Sequence, residues 1–172
     1  MTSVSVLVPY RPDGAHRDRA WVWLQGWWAD HHPDWQVVTG ACPDGPWVKA
    51  LAVADALSRA DGDLLLVVDA DVLSTAFGPA VAAVAAGAPW AVPHLRVHRL
   101  TEQATDAVLA GGGLPATPNP YPQGGGPGWG HRPRRAHTRE IQESYTGLIG
   151  GGAVALSRAL YEQVPLDPRI VG

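Results

Sequence analysis

Two aspartates, Asp69 and Asp71, follow directly on an uncharged aliphatic run and are the side chains of this chain best suited to chemistry. The run, residues 64–68, is rich in branched side chains and predicts a buried parallel strand. Open α/β sheets bind their ligands where such strands end. Because an unpaired charge is costly to bury, the two carboxylates need a partner. A divalent cation, Mg²⁺ or Mn²⁺, suits them because it also bridges to substrate phosphates.

The same two aspartates have a simpler structural interpretation. One can end a strand, and the other can cap the helix that follows, since aspartate is a preferred N-cap residue. The motif by itself does not separate these interpretations, so the elements around it have to be considered.

Composition restricts the class of protein. The chain has 172 residues, of which 46% are hydrophobic and 17% charged, so we expect one globular domain with a single core. The net charge of -3 gives no case for nucleic acid as a partner. One cysteine, Cys42, excludes an internal disulfide framework and a cysteine-rich zinc site. No apolar stretch approaches the roughly 20 residues of a membrane span, and the first residues lack the features of a signal peptide, so we expect a cytoplasmic protein.

Hydrophobic patterning predicts alternating strands and helices. One helix, near residues 16–31, carries a stripe of apolar side chains with the spacing of a helix face that packs on a core. The other helices are expected near residues 47–60, 76–86, 101–110 and 157–163, and the strands near residues 3–8, 35–39, 64–68, 90–97 and 153–156. This alternation predicts an α/β fold with a mainly parallel sheet.

Residues 111–140 interrupt the alternation. Glycine and proline dominate their first part, and four arginines follow between His131 and Arg139. A structureless loop longer than about 15 residues is uncommon unless it is a linker or a functional lid. Arginine suits phosphate oxygens, although such a charge run is also typical of a solvated surface. We therefore expect a flexible loop here, at the side of the site or as a linker.

Four segments, taken in order, resemble the nucleotide-sugar glycosyltransferases of the A-type fold, family-2-like in character. The first is the first strand with its exit, residues 4–11, which ends in Pro9-Tyr10-Arg11, and the second runs from Asp44 to Ala50. The third is Asp69-Ala70-Asp71, similar to the Asp-x-Asp signature. The fourth, residues 150–158 with 164–172 behind it, is similar to a segment of galactosyl- and N-acetylgalactosaminyl-transferases. The resemblance covers nearly the whole chain except residues 111–140.

The resemblance implies a fold and an activity. The fold would be a single domain over residues 1–172, with a mainly parallel, Rossmann-like sheet flanked by helices. The activity would be metal-dependent transfer of a sugar from a UDP- or GDP-linked donor to an unknown acceptor. Asp69 and Asp71 would hold Mn²⁺ or Mg²⁺, with His131 and His137 as candidates to complete the coordination. The residues implied in nucleotide-sugar binding are Pro9, Tyr10, Arg11, Asp44, Lys49, Asp69, Ala70, Asp71, Gly151 and Gly152.

The chain departs from the resembled family at its C-terminal segment. In that family the segment continues into Trp-Gly-x-Glu-Asp, which supplies an acceptor-side or catalytic carboxylate, whereas this sequence stops at Gly172. No catalytic residue is therefore assigned. We expect donor binding to be more complete than turnover, with a second chain as a candidate partner that completes the active site.

Two other function classes remain open. In a haloacid-dehalogenase-like phosphatase, Asp69 would be the nucleophile and Asp71 the general acid/base; that family carries the motif on its first strand and has a later acidic pair that this sequence lacks. The other class is a non-catalytic module that binds a sugar nucleotide. A dinucleotide-binding domain is less compatible, because the first turn lacks Gly-x-Gly-x-x-Gly.

Overall fold

The structure is a computed structural model that describes residues 2–94, 96–115, 141–146 and 152–169. Its residues cluster in two compact units, one of residues 1–93 with 152–172 and the other of residues 94–151. The assignment of the chain to one domain stays a prediction. Gly151, His131, His137 and most of the predicted loop lie outside the described residues.

The helices and strands alternate over most of the described chain. In chain order the elements are β1 (Val4–Pro9), α1 (His16–His31), β2 (Gln36–Gly40), α2 (Lys49–Leu57), β3 (Leu64–Val68), α3 (Phe77–Ala85), β4 (Trp90–Ala91), β5 (Arg96–Leu100), α4 (Glu102–Leu109), β6 (Ile141–Thr146), β7 (Ala153–Ser157) and α5 (Arg158–Gln163).

The first unit is built on a five-stranded sheet with the order β2-β1-β3-β7-β4. Strand β1 pairs in parallel with β2 and β3, and β7 is antiparallel to both β3 and β4. The predicted α/β class is confirmed, but the sheet is mixed rather than mainly parallel. A hydrophobic run indicates that a strand is buried, but not whether it is parallel or antiparallel to its neighbours. The long segment between β4 and β7 allows β7 to run in either direction.

Helices cover both faces of this sheet. On one face, α1 and α3 pack against the alternating side chains of β1, β3 and β7. On the other face, α2 and α5 pack against the remaining side chains, among them Leu7, Leu65 and Val67. The predicted apolar stripe of α1 is confirmed, since Trp21 and Trp28 are almost fully buried.

A hydroxyl buried in the sheet holds its amino edge together. Ser5 is fully buried, and its Oγ donates to Gln36 Oε1 at 2.6 Å and accepts from the Gly62 amide at 2.8 Å. Arg158 donates to the carbonyl oxygens of Gly62 and Ala60, both at 2.9 Å. These bonds satisfy polar groups that would otherwise be costly inside the protein, and they tie β1, β2, the segment before β3 and the start of α5 to one another.

The predicted strand over residues 90–97 is wrong. The structure has two strands there, β4 in the five-stranded sheet and β5 paired antiparallel with β6 in the second unit. Pro93 lies between them, and proline cannot donate a hydrogen bond to a sheet. Strand β6 was not predicted, because its polar residues carry little hydrophobic signal.

Gly40, the last residue of β2, is expected to tolerate no side chain. A Cβ there would lie 1.9 Å from the carbonyl oxygen of Ala52 and 2.8 Å from Ala56. We expect Gly40→Ala to lower the free energy of unfolding by about 1–3 kcal/mol, the usual cost of overpacking. Gly26→Ala is the matched control, because nothing lies within 4 Å of its Cβ, and it should raise stability by about 0.5–1 kcal/mol. Urea denaturation measures both, and similar midpoints for the two variants would contradict this packing.

Candidate functional site

Several of the residues singled out in the sequence meet at the carboxyl edge of the five-stranded sheet. Because β1, β2 and β3 are parallel, the residues that follow them emerge at this same edge, where α1 and α2 begin. The antiparallel β7 starts there. Backbone hydrogen bonds join these ends, from the Tyr10 amide to the Gly40 carbonyl at 2.9 Å and from the Asp69 amide to the Gly152 carbonyl at 2.8 Å.

Asp69 forms an ion pair with the chain's single lysine. Lys49 Nζ lies 2.5 Å from Asp69 Oδ1, and the two side chains are 36% and 38% exposed. Lys49 is the first residue of α2, so the start of this helix delivers its ammonium group to the end of β3. The sequence assigned both residues to the site, and the structure brings them together.

Asp71 lies near a cation that the sequence did not single out. Arg17 Nε is 3.7 Å from Asp71 Oδ2, with both side chains about half exposed. Arg17 is in the first turn of α1, a position where the helix dipole disfavours positive charge. That misplaced charge is the one signal by which the sequence could have indicated a role for Arg17.

The two carboxylates and the two cations give this cluster no net charge. All four side chains are accessible to water, and ion pairs of exposed side chains contribute only about 0–1 kcal/mol to stability. The cluster therefore does little for the fold, and its charged groups are available to a ligand.

Gly152 packs closely against Val72, the residue that follows the Asp-Ala-Asp segment. A Cβ at Gly152 would lie 2.5 Å from Val72 Cγ2, and the Gly152 carbonyl accepts from the Asp69 amide. Ala70, between the two aspartates, is buried. The Gly152 carbonyl therefore holds the backbone of Asp69 at the sheet edge, and both Gly152 and Ala70 were assigned to the site from the sequence.

Tyr10 closes the loop between β1 and α1. Its hydroxyl donates to Asp18 Oδ1 at 2.6 Å, and Asp18 also accepts from the amides of Asp13 and Gly14. Burial and, after it, the bond to Asp18 raise the pKa of Tyr10 to about 12. The same hydrogen bond from Tyr10 is the main cause that lowers the pKa of Asp18. The phenol is thus engaged within the protein.

Arg11 holds the loop between β2 and α2. Its Nη1 and Nη2 donate to the carbonyl oxygens of Gly45 and Pro43 at 2.9 and 3.0 Å, and its guanidinium carbon lies 5.3 Å from the Trp47 ring centroid. Asp44 is exposed in this loop. Among the contacts of the described residues, none joins Asp44 to Asp69 or Asp71. Pro9, buried at the end of β1, pairs with Gly40 across the sheet.

The donor set at the edge fits a metal that shares its coordination with a substrate. In the part of the chain that the structure describes, no three His, Cys, Asp or Glu residues group together as metal ligands. Mg²⁺ is commonly held by one or two carboxylates, with water and substrate phosphates as its other ligands. Asp69 and Asp71 fit that pattern, whereas the predicted contribution of His131 or His137 falls outside the described residues.

Comparison with known proteins finds no match among family models, curated proteins or solved structures. Within the described residues, no helix is both long enough and apolar enough to cross a membrane. Function is therefore inferred from the residues themselves.

The hydrogen bond between Tyr10 and Asp18 should be visible by titration. The neutral phenol is favoured in the folded state, so its contribution to stability is complete below pH 10 and is lost as the pH rises through about 12. We expect Asp18→Asn to lower the pKa of Tyr10 from about 12, because a neutral amide stabilises the phenol less, while burial keeps this pKa above its usual value. Ultraviolet absorbance of tyrosinate follows the titration, and Tyr10→Phe identifies the signal. An unchanged titration in Asp18→Asn would contradict the assignment.

Proposed function

We propose that this chain is a metal-dependent glycosyltransferase of the A-type fold, or the donor-binding part of one, that binds a UDP- or GDP-linked sugar. The observation that carries the proposal is that two carboxylate–cation pairs, Lys49 with Asp69 and Arg17 with Asp71, lie at the carboxyl edge of the sheet. A sugar diphosphate needs both kinds of group, because its phosphates bind cations directly and bind carboxylates only through a metal.

The metal would be held by Asp69 and Asp71. When bound, Mn²⁺ or Mg²⁺ would neutralise the negative charge that grows on the leaving diphosphate as its bond to the sugar breaks. Asp69 is well suited to this position, because its backbone amide is fixed by the Gly152 carbonyl at 2.8 Å.

Lys49 and Arg17 would contact the phosphates of the donor. Lysine offers a compact point charge, and arginine offers a planar group that binds two phosphate oxygens at once. Both residues lie in the first turns of helices, and helix N-termini also favour phosphate through their amides and dipole.

The nucleoside would occupy the edge beside the end of β1. Pro9, Tyr10, Arg11 and Asp44 are proposed there on the resemblance of their segments to the family. Because Tyr10 and Arg11 already bond within the protein, their proposed part is to hold the two loops, with backbone groups and ring surface left for the nucleoside.

A phosphatase in which Asp69 attacks a phosphate is the competing proposal. The contact of Lys49 with Asp69 Oδ1 would orient the carboxylate and leave its second oxygen for attack. We prefer the transferase for two reasons. The aspartates follow β3, whereas the phosphatase family carries its motif on the first strand. The second, looser pair of Arg17 with Asp71 suits a ligand with two phosphates.

Binding of metal and nucleotide should be coupled through Asp71. Isothermal titration of the protein with UDP or GDP is expected to show tighter binding when Mn²⁺ is present. Asp71→Ala should remove this enhancement, with a loss of about tenfold or more, at least as large as for residues that only support metal ligands. Asp167→Ala is the matched control, because Asp167 forms an ion pair with Arg169 at 2.6 Å and no contact among the described residues joins it to Asp69 or Asp71. Equal binding by wild type and Asp71→Ala would contradict the metal site.

Product analysis should separate the proposed reactions. We expect incubation with UDP- and GDP-sugars and Mn²⁺ to release a nucleoside diphosphate, because the bond between sugar and diphosphate is the one that breaks. Release of inorganic phosphate from simple phosphomonoesters, without binding of any nucleotide sugar, would support the phosphatase instead. Binding of a nucleotide sugar without release would identify a binding module.

A further inference from the structure

We infer that Lys49 and Arg17 are exchangeable counter-ions, which neutralise Asp69 and Asp71 until metal and diphosphate arrive together and then transfer to the phosphates. The transfer to phosphate rests on the proposed function. The competition between these cations and a metal rests only on the geometry of the four side chains.

The first step is that Lys49 and a metal cannot share the Oδ1 atom of Asp69 in its present arrangement. Lys49 Nζ is 2.5 Å from Asp69 Oδ1, and Mg²⁺ binds an oxygen at about 2.1 Å. A metal on that oxygen would lie no more than about 4.6 Å from the ammonium, the sum of these two distances. Two positive charges that close repel each other, so a metal that binds Oδ1 displaces the lysine from that oxygen.

The second step is that such an exchange is easy. Lys49, Asp69, Arg17 and Asp71 are all between about one third and one half exposed, and exposed ion pairs are weak. The Arg17–Asp71 distance of 3.7 Å is longer than a hydrogen bond, so this pair is the looser one. Long, flexible side chains allow both cations to move without any change in the backbone.

The third step concerns the groups that Lys49 and Arg17 contact after they leave the carboxylates. Each lies in the first turn of a helix, where the helix dipole opposes a positive charge. In the free protein the negative charges of Asp69 and Asp71 offset the unfavourable interaction of the two cations with the helix dipoles. A diphosphate between the two helix starts would do the same, since it is attracted by the helix N-termini as well as by the cations.

The exchange has a consequence for the order of binding. A metal alone would face two cations already on its ligands, and a diphosphate alone would face two carboxylates once the cations had moved towards it. Metal and diphosphate together allow every charge to be paired. Each should therefore bind weakly alone and tightly in the presence of the other.

The test compares the affinity for Mn²⁺ alone with the affinity for UDP in the presence of Mn²⁺. For Lys49→Gln and Arg17→Gln we expect opposite changes. Mn²⁺ alone, followed by electron paramagnetic resonance of the free ion, should bind up to about fivefold more tightly, the equivalent of an exposed ion pair. UDP with Mn²⁺, followed by isothermal titration, should bind about tenfold or more weakly, the usual loss of a hydrogen bond to a charged group.

Two further variants complete the experiment. Arg169→Gln removes a cation from the exposed Asp167 pair and should change neither affinity, which controls for net charge. Lys49→Arg keeps the charge and should recover most of the UDP affinity. Thermal melts confirm that all variants are folded.

The possible outcomes distinguish this inference from the proposed function. If Mn²⁺ alone binds Lys49→Gln and Arg17→Gln no more tightly than wild type, the exchange is wrong, whatever happens to UDP. If Mn²⁺ binds these variants more tightly but no form binds UDP or GDP, the competition stands and the proposed function fails.

Discussion

Strand β3 is buried along its whole length between β1 and β7, and its register against both neighbours determines where Asp69 leaves the sheet. Val68 lies opposite Ala153, so the next residue meets Gly152, whose carbonyl accepts from the Asp69 amide. Side chains alternate between the faces of a sheet, so a slip by one residue would move each of them to the opposite core. Hydrophobic packing on both faces thus fixes the position of a charged group at the edge.

Polar groups at the two edges of the sheet differ in their partners and in their exposure to water. At the amino edge, Ser5 donates to Gln36, and Arg158 donates to two backbone carbonyl groups, all within the protein. At the carboxyl edge, Lys49, Asp69, Arg17 and Asp71 are paired but remain exposed to water. Bonds of the first kind stabilise a fold, whereas accessible charges of the second kind cost little to rearrange. This difference separates the structural polar residues from the candidate binding residues more clearly than residue type does.

The loops at the carboxyl edge are held by residues that the sequence alone would assign to a ligand. Tyr10 bonds to Asp18, and Arg11 donates to two carbonyl groups of the following loop. Each of these side chains connects the exit of β1 to another segment, and so helps to position the starts of α1 and α2. The cations Arg17 and Lys49 reach the aspartates from these two helix starts. Residues next to a site can therefore shape it without contacting what it binds.

The sequence by itself determined the features that depend on neighbouring residues. The aliphatic run of β3, the apolar stripe of α1 and the start of α5 near Ser157, whose side chain accepts from the Leu160 amide, are local patterns of period and hydrogen bonding. The position of Asp69 and Asp71 at the end of a buried strand followed from the first of these.

Only the tertiary structure decided which distant segments meet. It inserted β7 antiparallel between β3 and β4, divided residues 90–97 between two sheets, and placed Arg17 beside Asp71. The tertiary structure also places Arg11 where its guanidinium donates hydrogen bonds to backbone carbonyl groups, although the sequence had assigned this residue to a ligand. The spacing of residues along the chain indicates which side chains are close together within one helix or strand. It does not record pairings across the sheet, which depend on how all the elements pack against one another.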